Sequence, residues 1–154
     1  MNRQNEVILS IEEIENVNLK GEKDDEHGWD RHDGFKITTT EQEILLLISS
    51  YQSCCESWGY FMSEDDLDKF LAADLVGIEV TDTNRSHRHV FTEGFAEIKG
   101  DGREPIHLDS GDVMFVDIKT SVGTLQFTAY NAHNGYYGHS AHIVSLQLTK
   151  EVGL

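Results

Sequence analysis

Hydrophobic and polar positions alternate in short runs along most of this 154-residue chain, and a period of two is the mark of strands rather than helices. Phe35 to Thr39 and Glu43 to Tyr51 are rich in β-branched and aliphatic residues around the polar step Thr40-Glu41-Gln42, which predicts a hairpin. Its second arm holds the longest apolar run, Ile44 to Ile48, and a strand apolar on both faces belongs in the middle of a sheet. Asp112 to Lys119 and Thr124 to Asn131 flank Thr120-Ser121-Val122-Gly123 as a second hairpin. Leu75 to Thr81 predicts a strand with Ile78 and Val80 on one face. Ala141 to Thr149 predicts one closing strand, in which Ile143, Ser145 and Gln147 alternate with Val144, Leu146 and Leu148. A less regular first strand is expected around Ile14 to Leu19.

One segment departs from the period of two. Ser63-Glu64-Asp65-Asp66 precedes Leu67, Phe70 and Leu71. A serine that can accept amide hydrogen bonds, acids that suit the positive end of a helix dipole, and apolar residues at helical spacing predict a short helix over 64–73. Two stretches lack periodicity: a charged loop over 20–34 and an irregular insertion over 84–110, the latter with a short strand expected in Val90 to Ile98. Pro105 is the only proline, and no Gly/Ser-rich linker or internal repeat interrupts the chain. The expected architecture is a single α+β domain over 1–154, mostly antiparallel sheet with one clear helix.

Charge narrows the function classes. Lys and Arg number 12 against 28 Asp and Glu, a net charge of −16, which opposes binding to nucleic-acid phosphates or an anionic membrane surface. Residues 1–70 carry 17 acids against 6 bases, and residues 71–154 carry 11 against 6, so the N-terminal part holds most of the negative field. No apolar run approaches the ~20 residues of a membrane-spanning helix, and no apolar h-region follows the polar start Met1 to Asn5. An unexported, cytoplasmic protein is expected. The two cysteines, Cys54 and Cys55, are adjacent; a bridge between neighbours strains the peptide that joins them, and a reducing compartment suits them.

Four clusters are candidates for chemistry. In Gln52-Ser53-Cys54-Cys55-Glu56 a thiol and a carboxylate could converge on a ligand. Successive strand side chains face opposite ways, however, and Glu56 would raise a neighbouring thiol's pKa rather than activate it, so no catalytic residue is assigned. Asn134-Gly135-Tyr136-Tyr137 opens with a dipeptide that favours positive φ, and two adjacent tyrosines offer a binding anchor beyond what a turn requires. His87-Arg88-His89 followed by Glu93 is similar to the first metal-binding motif of cupins, where His-x-His sets two imidazoles on one side of a strand and a Glu adds a third ligand. The glycine before that motif and the later Pro-x-Gly-x-x-His motif are missing, and His133, His139 or His142 would have to supply a fourth ligand. A divalent transition metal is therefore the alternative expectation, with no cofactor the leading one. The acidic loop, with Asp24, Asp25 and Glu26 at its centre, lacks the Asp-x-Asp-x-Asp-Gly order of an EF-hand. With Glu6, Glu12, Glu13 and Glu15 it could imitate a phosphate array and occupy a basic groove. Phosphate-loop, Rossmann, zinc-ribbon and nucleophile-elbow motifs are absent.

Tyr51 to Glu56 and Asn134 to Ser140, with a Leu-Val-Gly-Ile-Glu-Val strand between them, resemble an uncharacterised family of small bacterial and phage proteins of unknown function. The correspondence runs from about Phe35 to Leu148 on pattern. It departs at Gly138, where such proteins carry Ser, and 20–34 and much of 84–110 look like insertions. The resemblance implies a phage, prophage or mobile-element gene acting in bacterial cytoplasm, and it supplies no activity. The expected function is a non-enzymatic acidic protein that binds a basic host protein and blocks a nucleic-acid-directed or defence system, with homo-oligomerisation open. The alternative is a small-molecule or metal-binding β-domain.

Overall fold

The computed structural model describes residues 5–18, 31–50, 57–81, 111–132 and 140–154. Among these residues nine strands form two antiparallel sheets. The first sheet has the order β1-β2-β3-β8-β9, from β1 (Ile8–Asn18), β2 (Arg31–Thr39), β3 (Glu43–Ser49), β8 (Ser140–Val144) and β9 (Thr149–Gly153). The second has the order β4-β7-β6-β5, from β4 (Ser57–Met62), β5 (Leu75–Thr81), β6 (Gly111–Thr120) and β7 (Gly123–Ala132). β3 is central in its sheet, as its apolar run predicts, and the β2–β3 and β6–β7 hairpins form as expected.

The α+β expectation is overturned: no helix of seven or more residues occurs among the described residues. In place of the helix over 64–73 stands a single 3-10 turn, Leu67–Phe70. Ser63 does not cap it. The Ser63 amide donates to the Gln126 carbonyl and its Oγ accepts from the Gln126 amide, each at 2.9 Å, so the sheet takes the serine. Asp66 makes no side-chain cap, Leu71 is already extended, and Ala72 has φ 66°. Ala72 and Ala73 then exchange backbone hydrogen bonds with Ile8 at 2.9 Å. The apolar spacing was informative, since Phe70 is buried and Leu67 packs on the core, but residues three apart share a face in a 3-10 turn as well as in a helix.

Other boundaries shift for identifiable reasons. The closing strand over Ala141 to Thr149 is two strands. Ser145 turns the chain: its amide donates to the Leu148 carbonyl at 3.0 Å, and its Oγ accepts from the Leu148 amide at 3.0 Å. β9 folds back on β8 and becomes the sheet edge. β1 starts earlier than expected because register shifts between Ile8 and Ser10 and between Ile14 and Val17 break its alternation. The last four residues of the expected charged loop, Arg31 to Gly34, belong to β2. β4 went unpredicted. The short strand within Val90 to Ile98 lies outside the described residues.

The core lies between the sheets. Phe35, Ile37, Ile44, Leu46, Ile48 and Ile143 of the first sheet meet Met114, Val116, Ile118, Leu125, Phe127 and Ala129 of the second. At one end of the sandwich the chain is closed by short turns. There the Leu75 amide donates to the Glu6 carbonyl at 2.8 Å, and Gln42 donates to Glu6 and Gln147 at 2.8 Å each while accepting from the Leu146 amide. At the other end β1, β3, β5 and β7 finish and β2, β4, β6 and β8 begin. A hydrogen bond of 3.2 Å from Asn131 Nδ2 to the Leu154 carbonyl ties the two sheets at that end.

Candidate functional site

The clusters singled out from the sequence fall in segments whose flanking strand ends meet at that second end. Asp24, Asp25 and Glu26, then Gln52, Cys54, Cys55 and Glu56, then His87, His89 and Glu93, and finally Asn134, Gly135, Tyr136 and Tyr137 all lie outside the described residues. Their anchor points are described. Each cluster follows the last residue of β1, β3, β5 or β7 and precedes the first residue of β2, β4, β6 or β8. These strand ends pair with one another, as Asn18 with Arg31, His32 with Ser49, Ile48 with Ala141, and Ala132 with both Ser57 and Gly111. Four pairs of strand ends thus gather at one end of the sandwich, and segments that join strand ends often carry function.

Beside that end, on the outer face of the first sheet, the fold builds a polar cluster that the sequence did not announce. Gly34, Leu47 and His142 stand in one cross-strand row, and His32 and Ser49 pair in the next. His32 is buried and meets the His142 ring edge-on at 4.8 Å between centroids. His142 Nε2 lies 3.9 Å from a Glu151 carboxylate oxygen, and the Ser140 amide donates to Ser49 Oγ at 3.0 Å. Of the histidines offered as a fourth metal ligand, His142 therefore sits in β8 beside His32. Among the described residues no group of three or more His, Cys, Asp or Glu side chains is arranged to hold a metal. His32 follows a run of charged residues and carried no periodic signal of burial.

A second polar cluster lies on β1. Glu12, Glu13 and Glu15 are exposed. Glu12 pairs with Lys36 at 2.9 Å and holds that ammonium above its ordinary pKa, with Glu43 adding to the effect. Glu13 reaches across to β4. Burial pushes the Tyr60 phenol well above its ordinary value, the charges of Glu13, Asp33 and Glu15 push it further, and its hydroxyl donates to Glu13. Tyr60 packs edge-on against Phe35 at 5.8 Å and lies 6.2 Å from Phe127. Such a phenol stays protonated at neutral pH and keeps its hydrogen bond from β4 to Glu13 of β1. The signal for Tyr60 was present in the alternation of Trp58, Tyr60 and Met62, but the buried Phe61 on the opposite face obscured it.

The described residues therefore form two polar clusters, a largely buried imidazole pair near the end where the long connections attach and an exposed carboxylate row along the β1 edge. No curated protein and no solved structure matches the chain. Over residues 5–143 it matches the model of a domain of unknown function, DUF7448, and it belongs to that family, whose match starts well before the Phe35 at which the resemblance by pattern began.

Proposed function

We propose that this member of the DUF7448 family is a non-enzymatic, acidic interaction protein that binds a basic protein of a bacterial host cell. The observation that carries this reading is the net charge of −16, concentrated in residues 1–70. Such a field attracts Lys- and Arg-rich surfaces and repels nucleic acid and anionic membranes. The exposed acids of β1 and the loop acids Asp24, Asp25 and Glu26 supply the field, and Gln52, Cys54, Cys55, Glu56, Asn134, Gly135, Tyr136 and Tyr137 supply further contact. The host partner is a nucleic-acid-directed or defence protein whose phosphate-binding groove this chain occupies. The gene belongs to a phage, prophage or mobile element and the protein acts in the cytoplasm. No helix among the described residues is long and apolar enough to cross a membrane.

Capture from bacterial lysate across a salt series tests the proposal. Basic proteins retained at about 0.05 M salt and released by about 0.5 M, where the screening length falls several-fold, are the expected result. Neutral partners, or retention indifferent to salt, would contradict it.

A second reading is favoured by the shared anchoring of the Cys-Cys-Glu and Asn-Gly-Tyr-Tyr segments at one end of the sandwich. In it the protein is a small-molecule or transition-metal-binding β-domain, with His87, His89 and Glu93 as ligands. Elemental mass spectrometry of the untagged protein separates the two. Near-stoichiometric zinc, iron or manganese supports the second reading, and its loss in both His87→Ala and His89→Ala assigns the ligands.

A further inference from the structure

We propose that the outer edge of β1 over Ile11 to Ile14 is a strand-addition site for an extended segment in which two adjacent Lys or Arg residues are flanked by apolar residues. This rests on the acidic-interaction reading and names the form of the partner. On the side away from β2, Ile8 is bonded to Ala72 and Ala73, and beyond it no strand among the described residues pairs with β1. In an antiparallel pair, alternate residues turn their N–H and C=O groups outward, and an added strand is one recurring way in which such groups are met.

Between its two register shifts β1 runs regularly from Ile11 to Ile14, opposite Ile37, Lys36, Phe35 and Gly34. Ile11 and Glu13 project to the core side and Glu12 and Ile14 to the outer side, so each face of the edge offers one half-buried isoleucine and one exposed acid. The order Ile-Glu-Glu-Ile reads the same in both directions. A complementary strand, parallel or antiparallel, therefore carries the pattern apolar-basic-basic-apolar, with each base opposite an acid and each apolar side chain opposite an isoleucine.

The other edges do not select in this way. β9 sets Lys150 beside Glu151, β4 has no charged residue, and β5 carries a single acid, Glu79, paired with Lys119 at 2.8 Å as Glu12 is with Lys36 at 2.9 Å, and its start is joined to Glu6 and Val7. A second copy of this chain is a poor occupant of β1. Antiparallel pairing of two β1 strands would set Glu12 against Glu13 twice, like charges directly opposed.

The test uses the full-length protein and a labelled ten-residue peptide centred on Val-Lys-Lys-Val, followed by fluorescence anisotropy at low salt. Two versions of the peptide carry N-methyl groups on alternate amides, one version for each set. Expected are saturable binding and, for one N-methyl version, affinity weaker by about tenfold or more, the scale of lost backbone hydrogen bonds. A Val-Glu-Glu-Val peptide should not bind, and E12Q/E13Q should weaken the parent peptide by about tenfold, as expected for charge-assisted contacts; its far-ultraviolet circular dichroism verifies the fold. If both N-methyl versions bind as well as the parent, or an oligolysine binds and Val-Lys-Lys-Val does not, strand addition is overturned while the acidic reading stands. If neither oligolysine nor Val-Lys-Lys-Val binds, both fall.

Discussion

β1 and β3 lie two strands apart in one sheet and have opposite fates. A single cross-strand row runs Glu13, Phe35, Leu46, Ile143, Lys150 from β1 to β9. Its three middle members are buried and its two ends are charged and exposed. At the centre, Ile44, Leu46, Leu47 and Ile48 have no exposed surface, so every atom there contributes to burial and packing. At the edge, no strand among the described residues pairs with the outer side of β1, and three glutamates are exposed. On the proposed reading, this difference separates stability from recognition across the sheet: changes in β3 should cost folding, and changes in the β1 acids should cost binding.

The largest effect should come from crowding β2 against β3. A Cβ at Gly34 would stand 1.8 Å from the Leu46 carbonyl oxygen. Gly34→Ala should therefore abolish cooperative unfolding or lower stability by roughly 4 kcal/mol or more, read by urea denaturation. Leu46→Ala, which empties a fully buried site, should cost about 3 kcal/mol in the same assay.

The Tyr60 contact between β1 and β4 is lost only in alkali. Its folded pKa lies above the unfolded value, so the native state keeps a proton that the unfolded chain releases. The stability this provides is full below about pH 10 and is lost as the pH rises through the folded pKa. Tyr60→Phe should flatten the fall in stability between about pH 10 and pH 12 relative to the parent protein, read as midpoints of unfolding across that range. The smallest effect on folding is expected for Glu12→Gln. Its ion pair with Lys36 lies at the surface, so the midpoint of urea unfolding should scarcely move while retention of basic partners at low salt declines. A large loss of stability with unchanged partner retention would erase the contrast between edge and centre.

The same contrast governs what the sequence revealed. β3, β6 and β7 were legible because burial writes an unbroken apolar or alternating record, and their hairpin turns carry polar residues. β1 was blurred because two bulges shift its alternation out of phase. β4 was missed because Phe61 is buried on the face opposite Trp58, Tyr60 and Met62, leaving no polar face to mark a strand. The false helix arose because Ser63 and the acids after it satisfy a local capping rule that a long-range pairing with Gln126 overrides. Of the polar clusters, the β1 acids were named individually. The meeting of His32 with His142, 110 positions apart in the chain, depends on strand order and had no local trace.

Amide hydrogen exchange of the full-length protein, alone and saturated with the Val-Lys-Lys-Val peptide, tests the central claim most directly. The account predicts slowed exchange at alternate amides within residues 10–14 and no change in the already protected β3. Slowing confined to other segments, with residues 10–14 exchanging as in the free protein, would contradict it.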